Sequence, residues 1–223
     1  MRGALLALLA AVLVGAAANG LSPQSDATLA GDRDLIYYPS GRFLKQAALG
    51  YDEAAASILW LRIIQYYGEH TRGDRTFGLL YHMCDVTTDL DPQFEEPYIF
   101  GSFVLISDGR QPGPAMDLLH KGRRMNPESW RLFFESGFVE YIAWQDTPKA
   151  ARYFTRASRM PGAPEYTDQF AAWVSLRAGD VRTSIVLWKE LAEHSQNAVI
   201  RKKAEQKVVE LSAKLEASGS NTP

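Results

Sequence analysis

Cys84 is the single cysteine among 223 residues, so no disulfide can form within the chain and its core alone must hold it together. No Asn-x-Ser/Thr acceptor occurs either, since Asn221-Thr222 runs into Pro223. The formal net charge is only -2, which excludes a nucleic-acid partner recruited by bulk electrostatics. Catalytic signatures are missing too. There is no His-Glu-x-x-His, no glycine loop leading into Lys-Ser/Thr, and no Gly-x-Ser-x-Gly. His82 and Cys84 are two apart and would face different sides of a helix, while His70, His120 and His194 lie far apart without ligand spacing. No metal or cofactor is implied. Beyond residue 18 no stretch is apolar enough to cross a membrane. What remains is 46% hydrophobic and 22% charged, the proportions of a folded chain with a substantial core.

The first eighteen residues stand apart. Arg2 is followed by an apolar run from Ala4 to Ala18, and Ala16-Ala17-Ala18 offers small residues for cleavage before Asn19. We read residues 1–18 as a secretory signal peptide. As a helix the run would reach about 22 Å, short of the roughly 30 Å of bilayer hydrocarbon. An uncleaved anchor is the rival reading. An exported chain without disulfides or glycosylation acceptors fits a bacterial envelope or periplasm.

The stretch TDLDPQFEEPY, residues 88–98, lies between two apolar segments. Its joint recurs: Leu90-Asp91-Pro92, Met125-Asn126-Pro127 and Arg159-Met160-Pro161 place prolines 35 and 34 residues apart. Other columns keep the same step. Small residues recur at Ser102, Gly137 and Ala171, and again at Ala115, Ala150 and Ser184. A bulky column holds Leu119, Phe154 and Trp188, and a fourth holds Gly122, Ala157 and Leu191. Stepping back 35 reaches Cys84 and Leu80, so a less regular unit precedes the clear three. Residues 115, 119 and 122 share one helix face, small residues let helices approach closely, and a proline after a helix stops it.

This pattern over residues 50–197 resembles the tetratricopeptide repeat (TPR) superfamily, here as an exported bacterial member. The match lies in the second helix of each unit. The first-helix signature survives only as Tyr98, Gly101 and Ser102, or as Phe133, Ser136 and Gly137, and the fourth unit has Ser195-Gln196 where the closing proline should stand. The resemblance implies an all-α, right-handed α-solenoid of antiparallel hairpins with a C-terminal capping helix. It also implies a non-catalytic adaptor or scaffold that binds a protein or peptide. The family's groove positions correspond to Ile99, Phe103 and Ile106, and then to Arg131, Phe134, Phe138 and Tyr141. The Lys and Asn carboxylate clamp of some family members has no counterpart. Such a groove accepts an apolar strand or helix from a partner, or is filled permanently by another subunit or by residues 35–48 of this chain.

Residues 19–48 read as a flexible leader and capping segment, and 49–197 as about four hairpins. The expected helices cover about 52–67 (Asp52 as N-cap, Gly68 as stop), 76–89, 95–107, 113–125, 129–145, 148–159, 165–178 and 181–194. A capping helix over 198–217 carries Ile200, Ala204, Val208, Leu211 and Leu215 on one stripe, and 218–223 form a tail. The first helix is apolar nearly all round, which predicts burial on several sides. Arg62 within it would pair with Asp85 or Glu96. An enzyme site near Asp52, Arg62 and Glu96 is the rival from another class. Neither carboxylate pair fits acid–base chemistry, because Glu95 and Glu96 mark a helix start and Glu135 and Glu140 point about 140° apart. The basic residues His120, Lys121, Arg123, Arg124, Arg152, Arg156 and Arg159 read as a solvated convex face, with an anionic partner or membrane surface as the alternative.

Overall fold

The computed structural model describes residues 41–219. The signal-peptide reading, most of the leader and the last four residues of the tail lie outside the described residues. Among the described residues ten α-helices follow in order: α1 (Gly41–Ala47), α2 (Asp52–Arg72), α3 (Leu80–Leu90), α4 (Glu95–Ser107), α5 (Pro112–Met125), α6 (Trp130–Phe138), α7 (Thr147–Ser158), α8 (Glu165–Arg177), α9 (Val181–His194) and α10 (Ala198–Gly219). A π-helical turn, Val139–Trp144, extends α6. No strand occurs among the described residues.

From α2 onward each helix packs on the next, so α2 to α9 form four antiparallel hairpins and α10 covers the last, against α9. The fold is thus an α-solenoid of TPR-like hairpins. The repeating columns lie at its contacts. Ala115, Leu119, Gly122, Ala150, Phe154, Ala157, Ser184, Trp188 and Leu191 are all buried. At two of them only hydrogen fits. A Cβ on Gly122 would stand 2.9 Å from the Tyr98 ring, and one on Gly137 would stand 2.8 Å from the Phe154 ring. Cys84, in the bulky column, is fully buried with Gly101 against its sulfur, and burial pushes its thiol pKa up.

Hydrogen bonds tie the joints. Asn126 Nδ2 donates to the Pro92 carbonyl at 2.9 Å, one repeat away, and the Tyr98 hydroxyl donates to the same oxygen at 3.2 Å. The fourth joint, lacking proline, is built from polar groups. The Glu165 carboxylate accepts from the Ser195 hydroxyl at 2.8 Å and from the Gln196 N–H at 3.0 Å. Asn197 then caps α10 by accepting from the Val199 N–H at 2.9 Å.

Several expectations need correction. Helix α2 runs through Gly68 and ends at Gly73, whose N–H reaches the Glu69 and His70 carbonyls. A glycine inside a helix costs only about 1 kcal/mol, which the turns on either side absorb. Asp52 is the first helical residue rather than the cap, and its buried Oδ1 has no hydrogen-bond partner. Helix α3 starts four residues later than 76, because Asp74 accepts from the Thr76 N–H at 3.0 Å in a local turn. The expected single helix over 129–145 changes to π geometry at Val139, where Glu140 turns inward. Finally, α2 is not buried all round. Only Ala56 and Ile63 are buried, while Ile58, Leu61 and Ile64 stay exposed.

Candidate functional site: the open face of the first helices

The first helices of the hairpins are α2, α4, α6 and α8, and the expected groove residues lie on α4, on α6 and on the turn that follows it. On α4, Ile99 and Ile106 are partly exposed, and Phe103 is 56% exposed. On α6 and its π turn, Phe138 and Tyr141 are partly exposed, and Ile142 is exposed beside them. Phe134 differs. It is 6% exposed and meets Phe138, Phe154, Phe170, Tyr166 and Trp130 edge-on, at centroid distances of 5.1, 5.1, 5.4, 5.5 and 6.1 Å. It forms the floor of the face rather than its surface. Arg131 bridges to the preceding unit, 3.6 Å from Glu95 and 3.2 Å from Glu96.

The sequence reading missed two members of this face. Stepping back 35 from Glu96 and Ile99 reaches Leu61 and Ile64, both exposed on α2. The column spacing contained that signal. The dense apolar run of α2 masked it, because α2 turns its opposite face inward: Trp60 and Tyr67 meet Phe100 edge-on at 5.5 and 5.2 Å. The last first helix, α8, adds Trp173, which lies 5.7 Å from Tyr141 and under the Arg177 guanidinium at 5.1 Å. Of the segment 35–48, the helical part α1 packs on α3, a second helix, and Lys45 donates to the Asp89 carbonyl at 3.4 Å. Those residues therefore sit on the cap side and leave the first-helix face uncovered.

Charges on the second helices turn inward more than a solvated face would. Lys121 reaches Asp85 at 2.6 Å and Asp89 at 2.5 Å on α3. Arg159 pairs with Glu190 at 2.8 Å. Arg123 donates to the Ser136 hydroxyl and stacks over Tyr153 at 5.0 Å, while Arg156 lies 4.5 Å over Phe133. Burial holds the Arg123 guanidinium below its ordinary pKa. Lys121, Arg123 and Arg159 staple one unit to the next and Arg156 ties the two helices of its own hairpin, while His120, Arg124 and Arg152 are exposed and make no ion pair or ring contact among the described residues.

The rival enzyme site does not assemble. Arg62 is exposed, and both anions expected for it are engaged elsewhere, Asp85 by Lys121 and Glu96 by Arg131. Asp52 and Arg62 are also ten residues, or about 15 Å, apart along one helix.

Two carboxylates on the third unit are unusual. Glu140 is 1% exposed and meets Lys149 Nζ at 2.5 Å. The Lys149 ammonium is raised above its ordinary pKa by that bond, and lies 5.6 Å from the Trp144 ring. Glu135 lies half-buried on the open face, and burial raises its pKa to about 7, against a smaller opposing pull from Arg131.

No family model matches the sequence, and no curated protein matches it. Among solved structures the chain is similar to one titled "MamA RS-1 ArsTM double mutant", at 17% identity and a TM-score of 0.42, over 78% of this chain and 94% of that one. So slight a likeness carries no argument. The fold rests on the helix order and packing described above.

Proposed function

We propose that this chain is a non-catalytic TPR-type adaptor of the cell envelope, binding a partner protein or peptide on the face of its first helices. The observation that carries the reading is the row of exposed apolar side chains, Leu61, Ile64, Phe103, Ile142 and Trp173, contributed by four successive units. Exposed apolar side chains recurring on the first helix of successive hairpins suit a docking surface. Residues 1–18 support export to the envelope, and assembly of a secreted or membrane complex is the task such an adaptor would serve there. No helix of the described residues is long and apolar enough to cross a membrane.

Affinity capture from the native membrane fraction tests this reading. Wild-type protein should recover one dominant partner, and the double variant Leu61→Glu/Phe103→Glu should lose it while keeping its helical circular dichroism. Equal recovery by both proteins would overturn the assignment of the face. Mass spectrometry of the exported protein should find Asn19 as the N-terminus.

A further inference from the structure

We propose that the bound segment presents a lysine or arginine side chain to Glu135, flanked by apolar residues that cover the neighbouring aromatic rings. This inference rests on the adaptor reading and names the chemistry its partner must carry. Glu135 shares the open side of α6 with Arg131, Phe138 and Ile142, at four- and three-residue spacings, while Leu132, Phe133, Ser136 and Gly137 face the core. Its carboxylate makes no hydrogen bond or ion pair among the described residues. The nearest cation, Arg131 one turn back, already bridges Glu95 and Glu96. The adjoining first turn of α8 supplies no cation to it: Tyr166 is the residue of that turn that feels its charge, while Glu165 is turned to Ser195 and Gln196. Three carboxylates therefore share one guanidinium on this patch, and half-buried Glu135 is the one left out.

Beside it stands an aromatic corner. Trp130 and Tyr166 meet at 5.9 Å, nearly perpendicular, over Phe134. The charge of Glu135 is felt at the Tyr166 hydroxyl, which burial and that charge together push above its ordinary pKa. A half-buried carboxylate next to aromatic rings suits a side chain with an apolar stem and a cationic head, since the stem covers the rings and the head pairs with the anion. An acidic or wholly apolar segment would leave the carboxylate desolvated and unpaired.

A displayed library of random 12-residue peptides, panned on the full chain, tests the inference. The expected result is enrichment of sequences with one lysine or arginine between apolar residues. Replacing that residue by norleucine in a synthetic enriched peptide should weaken binding about tenfold or more. In Glu135→Gln, folded to the same helical content, the two peptides should bind alike. Enriched peptides with no basic preference, or a preference that survives Glu135→Gln, would overturn the inference and leave the adaptor reading standing. If no peptide enriches, or if enriched peptides bind Leu61→Glu/Phe103→Glu undiminished, the adaptor reading and the inference fall together.

Discussion

At the scale of single residues, glycines separate by what faces them. Gly122 lies in the gap filled by Tyr98 and Leu132, whereas Gly68, inside α2, has nothing within 4 Å. Gly122→Val should therefore cost about 2 kcal/mol or more through overpacking. Gly68→Ala should raise stability by about 0.5–1 kcal/mol through helix propensity. Urea melts of the two variants check both signs. Glu135 makes the second residue-level prediction. Its folded-state pKa, about 7, lies above the ordinary 4.5, so the folded chain holds more protons between those values. Its contribution is fully present below pH 4.5 and is lost as pH rises through 7. Melting temperature should show that fall in the wild type and less of it in Glu135→Gln. Identical pH profiles would mean that Glu135 is well solvated.

At the scale of elements, the π turn after α6 hangs on one ion pair. Lys149, at the start of α7, reaches back to the buried Glu140 carboxylate. Lys149→Met leaves that anion uncompensated. The loss should be about 2 kcal/mol, below the 3–5 of a fully enclosed pair because the ammonium is itself half-exposed. Hydrogen exchange should accelerate first over 139–146, and unchanged protection there would count against the pair as the anchor of the turn. Element boundaries were legible where local chemistry was strong. Proline at 92 and 127 and the Asp146 and Asp180 caps put α4, α5, α7 and α9 within a residue of expectation. They were illegible where a breaker is overruled. Gly68 has an ordinary helical backbone and is carried through by the turns on either side, and the π turn from Val139 holds a buried carboxylate, Glu140, whose cation Lys149 comes from the next helix. The Ser195-Gln196 joint was misleading in another way. A missing proline reads as a lost signal, but its replacement, Glu165, lies thirty residues upstream in sequence and beside it in space.

At the scale of the whole molecule, a step of 34 or 35 residues was enough to expose the stack, because it is a property of contacts between units rather than of any one helix. The same step contained the extension of the open apolar face to Leu61 and Ile64. It was overlooked because an apolar run cannot reveal which of its sides meets solvent; that is decided by Trp60 and Tyr67 turning toward Phe100. Basic residues on the second helices were likewise unreadable as staples, since their partners lie about one repeat away, as Lys121 and Asp85 or Arg159 and Glu190 do. The site is thus a product of the stack, and replacing Leu61 and Phe103 together by glutamate should abolish partner capture without unfolding it.

Methyl-resolved NMR of the full chain, titrated with an enriched 12-residue peptide, tests the central claim most directly. The account predicts shifts concentrated on Leu61, Ile64, Ile99, Ile106 and Ile142, all on first helices. Shifts confined to Leu118, Leu187 and Val186, on the second helices, would contradict it.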